Sequence, residues 1–376
     1  MAHQQPKATS SHRKGEAPYN ETMLLEGVFT AVTTPFYPDG RLYFRKLEHN
    51  IDRYSHTPVA GIVVLGSTGE APMLGDDESR EVLHIAAAAA FPEKVLIAGV
   101  GRESVSETLR LAEYAAVEGY DVALVRTPSY YSPQSRSEQM LTYFRTVADR
   151  SPLPVLLYNI PKFTHYDLPV EVVAELAHHP NIIGLKDSTG SVMRIAAVVA
   201  ATTVVAKRTV QVTSIFEAVT GRMLAKTAPL EGGSSFVSAG QLGSGGSALA
   251  VAPPRPALKT RTRQVGFQVL AGSAGHLVKS LEAGATGAVL AMACCAPQAC
   301  IEAYTAWKEK DAALAAEKQQ RLIAASQRVS GELGIAGLKY ACDLNGYYGG
   351  KPRLPLLPLT GPQREEVAEL MVDLRN

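Results

Sequence analysis

The feature that most constrains the fold is an eightfold alternation of short apolar runs and longer segments of helical character. The runs are rich in β-branched residues and apolar throughout, which is typical of parallel strands in a covered sheet. They span residues 27–33, 61–65, 95–100, 121–126, 154–158, 182–186, 267–271 and 287–292. This alternation predicts an α/β fold of the (β/α)₈ TIM-barrel type, with an open doubly wound sheet as the alternative.

The rest of the chain divides around this barrel. We expect the barrel to span residues 25–296 and a C-terminal helical region to span 297–376, since residues 299–329, 332–344 and 361–374 are helical in pattern. The first 22 residues are polar and lack the apolar core of a secretory signal. We therefore predict a disordered tail over residues 1–24 rather than an organellar presequence.

One stretch, from about residue 204 to 265, does not fit the alternation. It is rich in Thr, Ser, Gly, Ala and Pro, and basic residues outnumber acidic ones. A G-x-G-x-x-A string at Gly243, Gly245 and Ala248 has no strand before it, so it is not a dinucleotide fingerprint. The composition predicts a solvated insertion that buries no core. Its place between the sixth helix and the seventh strand puts it opposite the catalytic face. A docking segment and translated non-coding sequence are the alternatives.

Composition and charge exclude several classes of function. The chain has 37 basic and 36 acidic residues, a balance that favours neither nucleic acid nor an anionic membrane as a partner. It contains no run of eighteen apolar residues, so no membrane span is predicted. The four cysteines, Cys294, Cys295, Cys300 and Cys342, lack C-x-x-C spacing and a nearby histidine pair. We expect reduced thiols in an intracellular compartment, with neither a metal site nor disulfides.

Barrel enzymes carry their chemistry at the carboxyl ends of the strands. After the second predicted strand, two glycines bracket Ser67 and Thr68. Such a turn can present backbone N–H groups and hydroxyls to a carboxylate, although a capped helix entry would also explain it. The fifth strand ends in Tyr158, whose hydroxyl could relay protons or simply pack at the rim.

The sixth strand ends in Lys186, which is hard to explain by structure alone. Its structural alternatives are an ion pair, for instance with Asp187, or a side chain that reaches solvent. An amine held in an apolar barrel is less readily charged, because desolvation disfavours the ammonium form, and it can then attack a carbonyl carbon. An anion-binding turn, a phenol and an amine at one barrel mouth are what imine formation with a 2-oxo acid requires. No cofactor is needed, since the iminium itself accepts electrons.

Five motifs carry a family resemblance. GSTGE at 66–70, TPSYY at 127–131, YNIP at 158–161, GLKDSTG at 184–190 and LAGSAG at 270–275 occur in this order. Together they resemble the dihydrodipicolinate synthase / N-acetylneuraminate lyase superfamily of class I pyruvate aldolases. The resemblance runs from about Glu26 to the C-terminus, apart from the insertion. The segment 334–350, GIAGLKYACDLNGYYGG, is most similar to the 4-hydroxy-2-oxoglutarate aldolase branch.

The resemblance implies a role for each candidate residue. Lys186 would form the Schiff base and Tyr158 would shuttle protons. Ser67 and Thr68 would bind the pyruvate carboxylate, and the backbone of Val289 would contact bound pyruvate. Tyr131, or Tyr130 if the alignment slips by one, would complete the proton relay across a dimer interface. The family is usually tetrameric, so we expect a homo-oligomer, cytoplasmic, with a mitochondrial location as the alternative.

One departure bears on the substrate. Synthases of the lysine pathway carry an arginine two residues after the YN-x-P motif, where this chain has Phe163 preceded by Lys162. A phenyl ring cannot bind a carboxylate bidentately. This departure disfavours dihydrodipicolinate synthesis, unless Lys162 substitutes for the arginine. From the resemblance to the 4-hydroxy-2-oxoglutarate aldolase branch we expect cleavage of 4-hydroxy-2-oxoglutarate to pyruvate and glyoxylate. The alternatives are a dihydrodipicolinate-type synthase, a 2-keto-3-deoxy sugar-acid aldolase, an N-acetylneuraminate lyase, and a non-catalytic 2-oxo acid-binding regulator.

Overall fold

The computed structural model describes residues 23–214, 217–227 and 258–375. Eight parallel strands close into a barrel in the order β1-β2-β3-β4-β5-β6-β9-β10, and β10 pairs with β1. The (β/α)₈ prediction is confirmed. The ten strands are β1 (Gly27–Ala31), β2 (Gly61–Val64), β3 (Val95–Gly99), β4 (Val122–Arg126), β5 (Val155–Asn159), β6 (Ile182–Asp187), β7 (Arg208–Thr213), β8 (Thr260–Val265), β9 (Gln268–Ala271) and β10 (Gly287–Leu290).

Helices surround the barrel and continue beyond it. They are α1 (Phe44–Ser55), α2 (Asp76–Ala89), α3 (Val105–Val117), α4 (Ser137–Arg150), α5 (Pro161–Thr164), α6 (Val170–Leu176), α7 (Val192–Thr202), α8 (Gly221–Thr227), α9 (Leu277–Glu282), α10 (Pro297–Lys308), α11 (Ala312–Ala325), α12 (Gly334–Leu344) and α13 (Gly361–Leu370). A π-helical turn, Ser326–Glu332, follows α11. Because α10 packs against β1 and α9, it completes the outer ring. The helices added to the barrel thus begin at α11 rather than at residue 297.

Strand register determines which side chains share the barrel interior. Phe29, Val63, Ile97, Leu124 and Leu156 pack together inside the barrel, whereas their chain neighbours face the helices, because successive strand residues point to opposite faces. At the carboxyl end, β4, β5 and β6 are in register at Arg126, Tyr158 and Lys186. These three residues therefore lie side by side in one tier of the barrel mouth.

The ends of the insertion are ordered, so the prediction that it buries no core was wrong there. Strands β7 and β8 form an antiparallel pair, and Val210, Val212 and Val265 pack in a small cluster with Leu24. Valines at alternate positions of a strand bury one face. The average composition of the segment concealed this local alternation. Residues 228–257, which include the G-x-G-x-x-A string, lie outside the described residues.

The described ends of the insertion lie at the amino-terminal ends of the barrel strands, opposite the mouth. The Arg208 guanidinium donates to the carbonyls of Ala177, His179 and Ile182, just before or at the start of β6. Arg263 pairs with Glu26 immediately before β1, with 2.5 Å between nitrogen and oxygen. Met23 and Leu24, which were predicted to belong to the tail, are buried at this end.

We expect the hairpin to contribute measurably to stability. Val212 is fully buried, so Val212→Ala should lower the free energy of unfolding by about 2 kcal/mol through the two carbons removed and the cavity left. The exposed neighbour provides the control, since Lys207→Ala should change stability by less than about 0.5 kcal/mol. Urea unfolding of the full chain measures both. Equal effects would show that the hairpin is not packed on the barrel.

Candidate active site

Lys186 lies inside the barrel mouth without an acidic partner. Its side chain ends β6, only 4% of the residue is exposed, and Nζ lies 4.0 Å from the centroid of the Tyr158 ring. The neighbouring Asp187 carboxylate instead accepts hydrogen bonds from Arg194 at 2.7 Å and from Asn159 at 3.0 Å. Among the described residues, no carboxylate lies within ion-pair distance of Lys186. Both structural alternatives, an ion pair and a solvent-exposed amine, are therefore wrong.

Tyr158 lies between Lys186 and the turn that carries Ser67 and Thr68. Its hydroxyl and the Ser67 Oγ are 3.2 Å apart, within hydrogen-bond distance. Only 4% of Tyr158 is exposed, so it is an interior residue rather than a rim residue that merely packs. Val289, on β10, is also in the interior cluster, next to Phe29 of β1. The structure thus brings the amine, the phenol and the hydroxyl turn together at one end of the barrel.

The turn after β2 has an unusual backbone. Ser67–Gly69 form one 3₁₀ turn, and the residues on either side of the turn region, Leu65 and Glu70, have positive φ angles of 58° and 54°. Such angles cost non-glycine residues roughly 1–3 kcal/mol each and persist where surrounding contacts impose them. The first N–H groups of a helical turn have no partner within it and can bind an anion. Gly99 is required beside this turn, because a Cβ there would lie 2.0 Å from the Leu65 carbonyl oxygen.

A buried ion pair that the sequence did not reveal holds this turn in place. The Glu70 Oε1 lies 2.6 Å from the Lys339 Nζ, and both side chains are at most 1% exposed. Glu70 Oε2 also accepts the backbone N–H of Arg353 at 2.8 Å. The Phe36 ring lies between two cations, with Lys339 Nζ and Arg353 Cζ each 4.4 Å from its centroid. Burial lowers the pKa of Lys339, and the Glu70 charge opposes that shift.

These residues could have been suspected from sequence only in part. Glu70 closes the GSTGE motif, and Lys339 interrupts the apolar face of a predicted helix, a signal similar to the one that identified Lys186. No sequence pattern, however, pairs two residues separated by most of the chain. Thr34, which donates to the Gly69 carbonyl at 2.6 Å, was missed for the same reason.

The tyrosine pair lies apart from this cluster. Tyr130 and Tyr131 are 78% and 68% exposed, and their rings contact each other edge to face with centroids 5.0 Å apart. Among the described residues, neither hydroxyl forms a hydrogen bond with Tyr158, Ser67 or Lys186. Within one protomer, therefore, the structure does not bring Tyr131 to the amine.

The described residues also bear on metal binding, membrane spans and cysteine chemistry. Within residues 23–214, 217–227 and 258–375, no group of three or more His, Cys, Asp or Glu side chains is arranged to hold a metal ion. No helix in these ranges is long and apolar enough to cross a membrane. All four cysteines are unpaired and buried, and burial raises the pKa of the Cys300 thiol.

The barrel, its buried lysine and the turn at its mouth define a class, the (β/α)₈ lyases that make or break carbon–carbon bonds. One family model matches most of the chain. The dihydrodipicolinate synthetase family model matches residues 24–211 and 257–374, and the chain belongs to this family. The protein is therefore a pyruvate-dependent class I aldolase or synthase. The unmatched residues between these two segments, 212–256, fall within the insertion.

Curated relatives support this assignment. A 4-hydroxy-tetrahydrodipicolinate synthase from Gluconacetobacter diazotrophicus is 28% identical over 351 residues, which cover 93% of this chain and 97% of the relative. A synthase of the same name from Xanthomonas axonopodis pv. citri is 42% identical over 178 residues, covering 47% of this chain and 58% of the relative. These names do not confirm the expected closeness to the 4-hydroxy-2-oxoglutarate aldolase branch.

Solved structures share the fold. A prophage protein of the dihydrodipicolinic acid synthase family from E. coli K12, determined in complex with pyruvate, is 26% identical and superposes with a TM-score of 0.72 over 93% of this chain and 99% of that one. The 4-hydroxy-tetrahydrodipicolinate synthase from Methylacidiphilum fumariolicum SolV is 24% identical, with a TM-score of 0.71 over 93% of this chain and 95% of that one.

The buried ion pair leads to a stability prediction. Lys339→Met leaves the Glu70 carboxylate buried and unpaired, so it should lower the free energy of unfolding by about 3–5 kcal/mol. Adding Glu70→Gln removes the stranded charge and should restore part of this loss. As the control, Arg110→Met breaks the exposed Arg110–Glu107 pair and should cost less than about 1 kcal/mol. Denaturant unfolding compares the three variants, and similar losses for Lys339→Met and Arg110→Met would contradict the prediction.

Proposed function

We propose that Lys186 is the Schiff-base lysine of a class I aldolase that binds a 2-oxo acid at the barrel mouth. The observation that carries this proposal is the position of Lys186 Nζ, which is buried against Tyr158 with no carboxylate partner among the described residues. A carbonyl carbon is the electrophile that such an amine can attack.

The anion-binding turn orients the substrate. The hydroxyls and N–H groups of Ser67 and Thr68 bind the carboxylate, as an anion is bound at the start of a helical turn. Tyr158 hydrogen-bonds to Ser67, so its hydroxyl lies between the bound carboxylate and the amine. The backbone of Val289 would also contact the bound 2-oxo acid. In this binding mode the C2 carbonyl of the substrate would lie next to Lys186.

The reaction then proceeds through covalent catalysis. The unprotonated Lys186 amine adds to C2 to give a carbinolamine, and Tyr158 donates the proton with which water leaves. The resulting protonated imine accepts the electron pair of the C3–C4 bond as that bond breaks, while the C4 hydroxyl passes its proton to the Tyr158 oxygen that was deprotonated in the dehydration. This step releases an aldehyde and leaves an enamine. Protonation of the enamine at C3 and hydrolysis of the imine release pyruvate and restore the lysine. Tyr131 would join this relay from a second protomer.

For the substrate, we propose 4-hydroxy-2-oxoglutarate, cleaved to pyruvate and glyoxylate. Phe163 replaces the arginine of the lysine-pathway synthases and is 54% exposed. The preceding residue does not compensate, because Lys162 Nζ donates to the Gly331 carbonyl at 2.5 Å. The position that recognises the second carboxylate in those synthases thus lacks a free cation here, which disfavours the synthase reaction. The choice of 4-hydroxy-2-oxoglutarate is supported by the resemblance of residues 334–350 to the 4-hydroxy-2-oxoglutarate aldolase branch, and the second carboxylate of that substrate would bind elsewhere.

The second candidate is condensation of pyruvate with aspartate semialdehyde, because the reported curated relatives are named 4-hydroxy-tetrahydrodipicolinate synthases. We further propose a cytoplasmic homo-oligomer, a dimer or a tetramer. The exposed aromatic pair Tyr130–Tyr131 supports assembly, since exposed aromatic side chains are typical of protein interfaces.

The Schiff base can be tested directly. Incubation with pyruvate followed by borohydride reduction should add one reduced pyruvate to Lys186, as located by peptide mass mapping. Lys186→Met should abolish both the adduct and turnover, whereas Lys162→Met should still form the adduct. An adduct on another lysine, or none on the wild type, would refute the mechanism.

A substrate panel distinguishes the activities. We expect pyruvate release from 4-hydroxy-2-oxoglutarate to exceed turnover of 2-keto-3-deoxygluconate, N-acetylneuraminate, and aspartate semialdehyde with pyruvate. Phe163→Arg should raise synthase activity, because it restores a guanidinium where a second carboxylate would bind. Saturable binding of 2-oxo acids without turnover would instead identify a non-catalytic regulator.

A further inference from the structure

An acidic side chain outside the lysine–tyrosine cluster organises the loop that carries the tyrosine pair. Glu103, between β3 and α3, receives four hydrogen bonds on one carboxylate. Its Oε2 accepts the backbone N–H groups of Ser129 at 2.8 Å and Tyr130 at 2.9 Å. Its Oε1 accepts from the Ser129 hydroxyl at 2.9 Å and from the Arg126 guanidinium at 2.8 Å.

The number and type of donors separate this contact from an ordinary surface ion pair. Exposed pairs between two flexible side chains contribute little, but here two of the four donors are backbone amides of one short loop. Partial burial would raise the pKa of Glu103, but the donors from Tyr130, Arg126 and Ser129 outweigh it and lower the pKa to about 2. The carboxylate is thus ionised at neutral pH and holds the loop as an acceptor.

Arg126 links this loop to the catalytic tier. Its backbone pairs with Tyr158, which in turn pairs with Lys186. Its guanidinium reaches out of the strand to Glu103, to the Thr127 carbonyl at 3.0 Å and to the Ser129 hydroxyl at 3.4 Å. The path from the proposed reacting lysine to the tyrosine loop therefore runs from β6 through β5 and β4, and then through the Arg126 guanidinium and the Glu103 carboxylate.

We infer that Glu103 is a positioning residue for the proton relay: with Arg126 it holds the β4–α4 loop so that Tyr130 and Tyr131 project from the protomer in a set orientation. This inference rests on the proposed function, because it assigns the orientation of the tyrosine that joins the relay. Glu103 itself does not touch the substrate. Its effect should therefore appear in proton-transfer steps and disappear when the relay tyrosine is removed.

The test measures how fast the pyruvate imine forms on Lys186, by borohydride quenching at increasing times in the full-length protein. Glu103→Gln keeps the size of the side chain but replaces one acceptor oxygen with a donor that faces other donors. We expect it to slow imine formation about tenfold, part of the roughly 10²–10⁴-fold that general acid–base catalysis contributes. The equilibrium affinity for pyruvate should remain unchanged, because the carboxylate is bound by the Ser67–Thr68 turn.

Glu107→Gln is the matched control. Glu107 lies in the first turn of α3, four residues after Glu103, and among the described residues its carboxylate pairs only with the exposed Arg110. Its substitution removes the same charge from the same end of α3, so imine formation should keep the wild-type rate. Thermal unfolding of both variants separates a loss of loop order from a loss of folded protein.

A double-mutant cycle decides the question. If Glu103 acts through the relay, Glu103→Gln should cause no further slowing in a Tyr131→Phe or a Tyr130→Phe background, and the background in which its effect vanishes identifies the relay tyrosine. Wild-type rates for Glu103→Gln, or effects that multiply in both backgrounds, would overturn the inference. Failure of the wild type to form any adduct on Lys186 would instead overturn the proposed function on which it rests.

Discussion

The proposed chemistry depends on an amine that packing, rather than an opposite charge, holds inside the barrel. Lys186 and Lys339 are both buried, but their surroundings differ. Lys339 Nζ lies 2.6 Å from Glu70 and forms a structural ion pair, whereas Lys186 Nζ lies over the ring of Tyr158 and has no carboxylate within ion-pair distance among the described residues. A carbonyl carbon is the electrophile that such an amine can attack, as the proposed imine requires.

The two lysines nevertheless belong to one arrangement. Lys339 stabilises Glu70, Glu70 ends the strained turn that carries Ser67 and Thr68, and Ser67 contacts Tyr158. The C-terminal helices therefore contribute to the barrel mouth, because Lys339 of α12 supplies the charge that pairs with Glu70 at the end of this turn.

The β7–β8 hairpin lies at the other end of the barrel, at the amino-terminal ends of the strands. The β7–β8 hairpin contributes buried valines, and Arg208 and Arg263 attach it to the amino-terminal ends of the strands. Since the proposed chemistry uses only the carboxyl ends, an insertion here can alter stability without touching the reacting groups. The family match, which resumes at residue 257, is consistent with an addition to an otherwise complete barrel.

The sequence alone determined the barrel and identified the lysine, the tyrosine and the hydroxyl turn that meet at its mouth. Apolar runs with a strand-like composition give the fold, and Lys186, Tyr158 and the Ser67–Thr68 turn stand out because each follows such a run. Local patterns suffice for these features, since strand ends are local and the barrel brings all of them to one face. The average composition of residues 204–265 did not predict the β7–β8 hairpin. The only local indication of a strand there is the alternation of Val210 and Val212 with polar residues.

Only the tertiary structure decided the interactions between residues distant in the chain. Glu70 pairs with Lys339, and Glu103 accepts hydrogen bonds from the tyrosine loop. In both cases the partners lie in separate segments of the chain, and no sequence periodicity indicates that these segments meet. For Tyr131, too, the sequence motif did not reveal the environment of the side chain. Its motif suggested a catalytic role, but within one protomer its side chain is exposed, so the proposed role in the relay requires a second chain.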